Sequence, residues 1–126
     1  RVDYGLVSFL LASDITAATE AKLVAARTPL AATVLKVAHH GSRGSSTTEF
    51  LRAVGPRVAV ISVGARNPYG HPSPETLARL DGVSATTYRT DRDGAVIFET
   101  DGRALTVQGW GSGRAERYCL DRATVC

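Results

Sequence analysis

Three strand-length apolar runs, each followed by a turn and a helix signal, leave this chain few folds to choose from. Residues 4–12, 33–38 and 57–64 are nearly continuous in apolar residues. Runs of that length without alternation suit strands covered on both faces, as in parallel sheets. The first leads into an alanine-rich helix at 17–27, stopped by Pro29. The second leads to Ser46-Thr47-Thr48-Glu49, a capping-box pattern, and a helix carrying Phe50, Leu51 and Val54 as far as Gly55-Pro56. After the third, Ser73-Pro74-Glu75 marks an N-cap with proline at the first helical position, and that helix ends at Gly82. Three β-α units are expected.

Beyond Ser84 the character changes. Short runs at 84–90, 95–100 and 103–108 are separated by Asp93-Gly94 and Asp101-Gly102 and read as an antiparallel meander. Turn chemistry accounts for Asp91 and Asp93. After Trp110 the residues read as a linker or tail, so the expected division is a domain at 1–109 and a flexible segment at 110–126. Cys119 and Cys126 fit no zinc spacing; they form a local disulfide or are two thiols of the tail.

The crossings carry the chemistry. Asp14 follows the first strand, His39 and His40 the second, and His71 the third. If the strands are parallel, all four lie along one edge of the sheet. Asp14 or Thr16 could instead simply cap the next helix, and the histidines could be solvated strand ends. Alternation along a strand lets one of His39 and His40 face a ligand while the other supports it. Gly41 and Gly44 allow close backbone approach, and Ser42, Ser45 and Ser46 offer hydroxyls. Carboxylate and imidazole suit a divalent cation such as zinc or manganese. A further histidine could position a phosphate oxygen or protonate a leaving group.

No apolar run approaches the ~18 residues of a membrane span. The net charge of +3 tolerates an anionic substrate without requiring one. The chain has no methionine and opens directly into a strand, so it is expected to be a piece of a longer polypeptide.

Five segments, in this order and spacing, carry a resemblance: Phe9-Leu10-Leu11-Ala12-Ser13-Asp14-Ile15, Leu35-Lys36-Val37-Ala38-His39-His40-Gly41-Ser42, Val58-Ala59-Val60-Ile61-Ser62-Val63-Gly64, Tyr69-Gly70-His71-Pro72, and Tyr88-Arg89-Thr90-Asp91-Arg92-Asp93-Gly94. The series resembles the C-terminal half of the metallo-β-lactamase-fold domain of ComEC/Rec2-type DNA-internalisation competence proteins. The resemblance implies an αββα sandwich of which this chain is the second half. It implies a metal-dependent nuclease, with two zinc or manganese ions in the complete domain, acting on single-stranded DNA during competence-related uptake. Asp14 would bridge the metals, and His40 would be a ligand because Gly41-Ser42 resembles the His-x-Ser pattern of tRNA-processing phosphodiesterases. His39 and His71 would be catalytic or phosphate-contacting, His71 being an alternative ligand. Ser42, Ser45, Tyr69 and His71 would hold substrate.

Two departures stand out. The family usually has glycine where this chain has Ser13, and the HxHxDH motif of the first half is absent. The isolated chain is then expected to be inactive, with the missing N-terminal half or a second copy as its partner, an exposed core face, and a place in the extracytoplasmic part of a bacterial membrane protein. The competing readings are a catalytically incomplete half-domain with a structural or interaction role, and a hydrolase of the same fold acting on RNA or a small ester.

Overall fold

A computed structural model describes residues 1–121. Strand β1 (Val2–Tyr4) turns at Gly5-Leu6 into β2 (Val7–Leu11). Then follow α1 (Ala17–Ala25), β3 (Val34–Lys36), α2 (Thr48–Val54), β4 (Val58–Ile61), α3 (Pro74–Gly82), β5 (Thr86–Arg89), the single turn α4 (Thr90–Asp93), β6 (Val96–Thr100), β7 (Ala104–Gly109) and β8 (Ala115–Cys119). The first sheet has the order β1-β2-β3-β4-β5, and β2 to β5 are mutually parallel. The second is antiparallel, β6-β7-β8.

Alternation along the first sheet builds two cores. Leu10, Leu35, Ala59 and Ile61 face one way, against Leu23 and Val24 of α1, Phe50, Leu51 and Val54 of α2, and Leu77 and Leu80 of α3. Val7, Phe9, Val34, Val58, Val60 and Tyr88 face the other way, against Val96, Phe98, Leu105 and Val107 of the second sheet. The layers therefore run helices, sheet, sheet in a mixed α/β chain. Tyr88 is fully buried between the sheets with the Arg114 guanidinium 4.2 Å over its ring, and burial pushes its hydroxyl up to about 12.

Three expectations change. The run at 4–12 is a hairpin and not one strand, because Gly5 takes a positive φ of 58° and turns the chain. Residues 84–90 do not start the meander: β5 is the last parallel strand of the first sheet, so Asp93-Gly94 is a crossing between sheets. Where a linker is expected from 110 onward, β8 pairs with β7 from Ala104↔Cys119 to Gln108↔Ala115. Cys126 lies outside the described residues. Asp101-Gly102 is a hairpin turn as expected, with Asp101 accepting from the Arg103 and Ala104 amides.

Candidate functional site

Because β2, β3 and β4 run parallel, the loops that follow them emerge side by side at one end of the sheet. Asp14, His39, His40 and His71 meet there. His40 Nε2 is 3.9 Å from Asp14 Oδ1. The His39 ring lies 6.3 Å from that of His40 and 5.9 Å from that of His71, and Tyr69 stacks 5.9 Å beyond His71 at an interplanar angle of 26°. A row of four rings therefore leads from the Asp14 carboxylate to Tyr69.

The histidine pair is not on a strand. β3 ends at Lys36, and His39 (φ 48°) and His40 (φ 55°) occupy left-handed backbone, as does Gly41 (φ 81°). Strict alternation therefore does not apply, and both rings are exposed at the same end. Left-handed backbone costs an L-residue roughly 1–2 kcal/mol. Such strain persists only where surrounding contacts over-determine it, commonly at functional sites. Here the His39 amide donates to the Ser13 carbonyl (2.9 Å), and His40 Nδ1 lies 2.7 Å from the Ser62 carbonyl. A carbonyl only accepts, so Nδ1 carries the hydrogen, and in the neutral imidazole the lone pair is then on Nε2, the nitrogen nearer Asp14.

Asp14 does not cap α1. Thr16 is the N-cap residue, without a side-chain bond, and the Asp14 carboxylate is two-thirds exposed beside His40. Ser13, just before it, has φ 51°. Glycine at that position would relieve the strain, less its larger entropy loss on folding. Ser13→Gly is therefore expected to stabilise the fold by about 0.5–1 kcal/mol, read as a higher thermal midpoint with Asp14 and His40 left in place.

The Gly-Ser loop after the histidines is fixed. Thr76 Oγ1 donates to the Ser42 carbonyl, and Arg79 donates to the Arg43 and Ser45 carbonyls. Ser45, expected to bind phosphate, is buried with its hydroxyl donating to the Ile15 carbonyl at 2.6 Å, so it is not open to a ligand. Ser42 remains at the rim. The N-cap of the helix after the loop is Thr47, not Ser46, its hydroxyl accepting from the Phe50 amide, and the capping-box carboxylate is not Glu49. Glu20 of α1, fully buried, accepts from the Ser46 and Thr47 amides instead. Glu20 shares the inward face of α1 with Leu23 and Val24, and that spacing is the signal that could have found it.

Asn67 is a second such support. Its amide oxygen accepts from the His71 amide (3.0 Å), and its NH2 donates to the Gly64 and His71 carbonyls (3.0 and 2.7 Å). It clamps the loop that carries Tyr69 and His71. The His71-Pro72 peptide is cis. Asp91 takes no part: Arg89 binds it through two hydrogen bonds, and that contact holds its carboxyl below the usual range. Asp93 accepts from the Arg89 amide and the Ser112 hydroxyl.

One divalent ion could touch both Asp14 and His40, since bonds of about 2.0–2.2 Å span their separation. Among the described residues, no group of three or more His, Cys, Asp and Glu side chains is arranged to hold a metal. The donor set fits half of a site.

No family profile and no solved structure matches the chain. Among curated proteins it is similar to ComE operon protein 3 of Bacillus subtilis, 34% identical over 105 residues, 83% of this chain and 14% of that protein. It is similar to Competence protein ComA of Neisseria gonorrhoeae, 37% identical over 99 residues, 78% of this chain and 14% of that protein. It is likewise similar to Recombination protein 2 of Haemophilus influenzae, 38% identical over 95 residues, 75% of this chain and 12% of that protein. The chain spans about one seventh of the length of the first two.

Proposed function

We propose, on the premise that homologues named ComE operon protein 3, ComA and Recombination protein 2 indicate a competence-related family, that this chain is one half of a metal-dependent phosphodiesterase domain serving DNA uptake. The observation that carries this reading is the Asp14–His40 pair, with His40 Nε2 directed toward the carboxylate while Nδ1 is held by the Ser62 carbonyl. Asp14 and His40 would hold zinc or manganese. A divalent ion there would activate water and stabilise the oxygens of phosphodiester displacement. His39 and His71, next along the row, would position a phosphate oxygen or give a proton to the leaving oxygen. Ser42 and Tyr69 lie on the same side for substrate.

The remaining ligands would come from the N-terminal half of an αββα sandwich, of which this chain would be the second half. Val2, Tyr4 and Leu6, exposed on the edge hairpin, support a missing neighbour or self-association. Among the described residues no helix is long and apolar enough to cross a membrane, in keeping with a domain outside the bilayer of a longer protein, which we place on the extracytoplasmic side. A second reading, a half-domain with a structural role and no activity alone, is favoured by the lack of a three-ligand group among the described residues.

Calorimetric titration of zinc and manganese separates the two. If the chain forms a site alone or as a dimer, Asp14→Ala and His40→Ala each weaken binding about tenfold or more. If neither variant differs from the wild type, these two side chains are not ligands.

A further inference from the structure

We propose that Tyr69 is a nucleobase-stacking platform and that, with Arg43 across the adjoining cavity, it makes this site selective for an unpaired nucleic-acid strand. The inference rests on the phosphodiesterase reading and deepens it. A cavity of about 350 Å³ lies beside His71, lined among others by Ser42, Arg43, Tyr69, Gly70 and Glu75. Tyr69 is 76% exposed, the most exposed large hydrophobic side chain among the described residues. A lone exposed aromatic is unremarkable on a protein surface, but this one is held in place. Asn67 clamps its loop through three hydrogen bonds, and two prolines, Pro68 and Pro72, flank it. The Tyr69 ring is stacked toward His71 with the centroids 5.9 Å apart, and most of its surface is left to solvent. Little ordering entropy remains to be lost when a flat ligand settles there.

Stacking of a base on such a ring is worth about 1–3 kcal/mol and tolerates any sequence. In a duplex both faces of a base are already covered by its neighbours, so the platform can take only an unstacked one. Arg43 is exposed, and its guanidinium makes no hydrogen bond or ion pair among the described residues, which leaves its fork for a phosphate oxygen. Glu75, which also lines the cavity, disfavours a phosphate beside it and suits the exocyclic amine of a base. The phosphate therefore belongs on the Ser42–Arg43 side, toward the histidines. The base lies at the end of the ring row farthest from Asp14.

The test is fluorescence anisotropy of a labelled single-stranded ten-nucleotide DNA with the 126-residue chain in chelator, so that no hydrolysis enters the readout. Tyr69→Ala is expected to weaken binding about 5- to 140-fold, which is the stacking energy converted at 1.4 kcal/mol per tenfold. Tyr69→Phe should stay within about twofold. An abasic strand of equal length should bind the wild type as weakly as the ordinary strand binds Tyr69→Ala, and Arg43→Ala should weaken both strands alike. Tyr69 is exposed, so the variants keep the wild-type unfolding midpoint. Equal affinity of wild type and Tyr69→Ala, equal affinity for ordinary and abasic strands, equal affinity for single strand and duplex, or no binding at all would each overturn the proposal. Loss of metal binding with base-dependent affinity intact would instead remove the hydrolase reading alone.

Discussion

Replacing Glu20 with alanine is expected to remove about 3–5 kcal/mol of folding stability. The side chain is fully buried on the inner face of α1, and its two oxygens accept from the Ser46 amide at 2.5 Å and the Thr47 amide at 2.8 Å. Alanine leaves both donors without that acceptor, the Ser46 bond buried and the Thr47 bond partly so, at about 1–3 kcal/mol each, and leaves a cavity besides. The Ser46 hydroxyl beside them is itself buried without a partner among the described residues. Against a typical total of about 5–15 kcal/mol, this is a large share. Glu20→Gln should lose roughly half as much, because the amide keeps one acceptor while its NH2 opposes the other donor. Urea unfolding reads both variants, and hydrogen exchange at the Ser46 and Thr47 amides localises the effect. Wild-type midpoints in both would mean that the carboxylate does not hold the loop.

The second large effect is expected at Gly41. Its φ is 81°, and a Cβ there would lie 2.6 Å from Pro72 Cβ and 3.0 Å from Pro72 Cα. Gly41→Ala combines left-handed strain of about 1–2 kcal/mol with overpacking of about 1–3 kcal/mol, so a loss of about 2–5 kcal/mol is expected. Relief requires Pro72 to move, and His71 moves with it. The His71 ring resonances in NMR should therefore shift while those of the second sheet stay put. Gly44 is the matched control. Its nearest foreign atom would be Ser42 Oγ at 3.8 Å and its φ is not positive, so Gly44→Ala should change stability by less than about 0.5 kcal/mol. A loss at Gly44 equal to that at Gly41 would show that the loop responds to any added methyl group and not to the Pro72 contact. Both glycines look alike in the sequence as places for close approach to a ligand. In the structure Gly41 is required by a neighbouring loop and Gly44 by no contact that the fold shows.

That contrast marks how far the sequence could be read. The three β-α units were legible because apolar runs, caps and stops agree with one another, as at Ser73-Pro74 and Gly55-Pro56. The edge carrying Asp14, His39, His40 and His71 was legible because parallel strands force their loops to one end. The partner of β5 was not legible, since its Thr and Tyr residues suit parallel and antiparallel neighbours equally. β8 was hidden because Ala-Glu-Arg-Tyr-Cys carries charge and weak alternation. Ser62 could not be found at all: its contribution is a backbone carbonyl, which any residue supplies. Asn67 could have been found from its place before proline, where a side-chain amide commonly closes a turn.

The backbone links at the end of the sheet run from loop to loop. The His39 amide binds Ser13, His40 binds Ser62, the Ser73 amide binds Gly41, and Thr90 Oγ1 bonds both the amide and the carbonyl of Val63. Each crossing is braced by the next one along, so Asp14, the histidine pair and His71 behave as a single mechanical unit. Free energies of paired substitutions in adjoining crossings should then fail to add, with coupling energies of about 0.5–3 kcal/mol, whereas either paired with a change in β8 should be additive. Drift at one crossing would favour compensating change at its neighbour, so the loops are expected to diverge together or not at all.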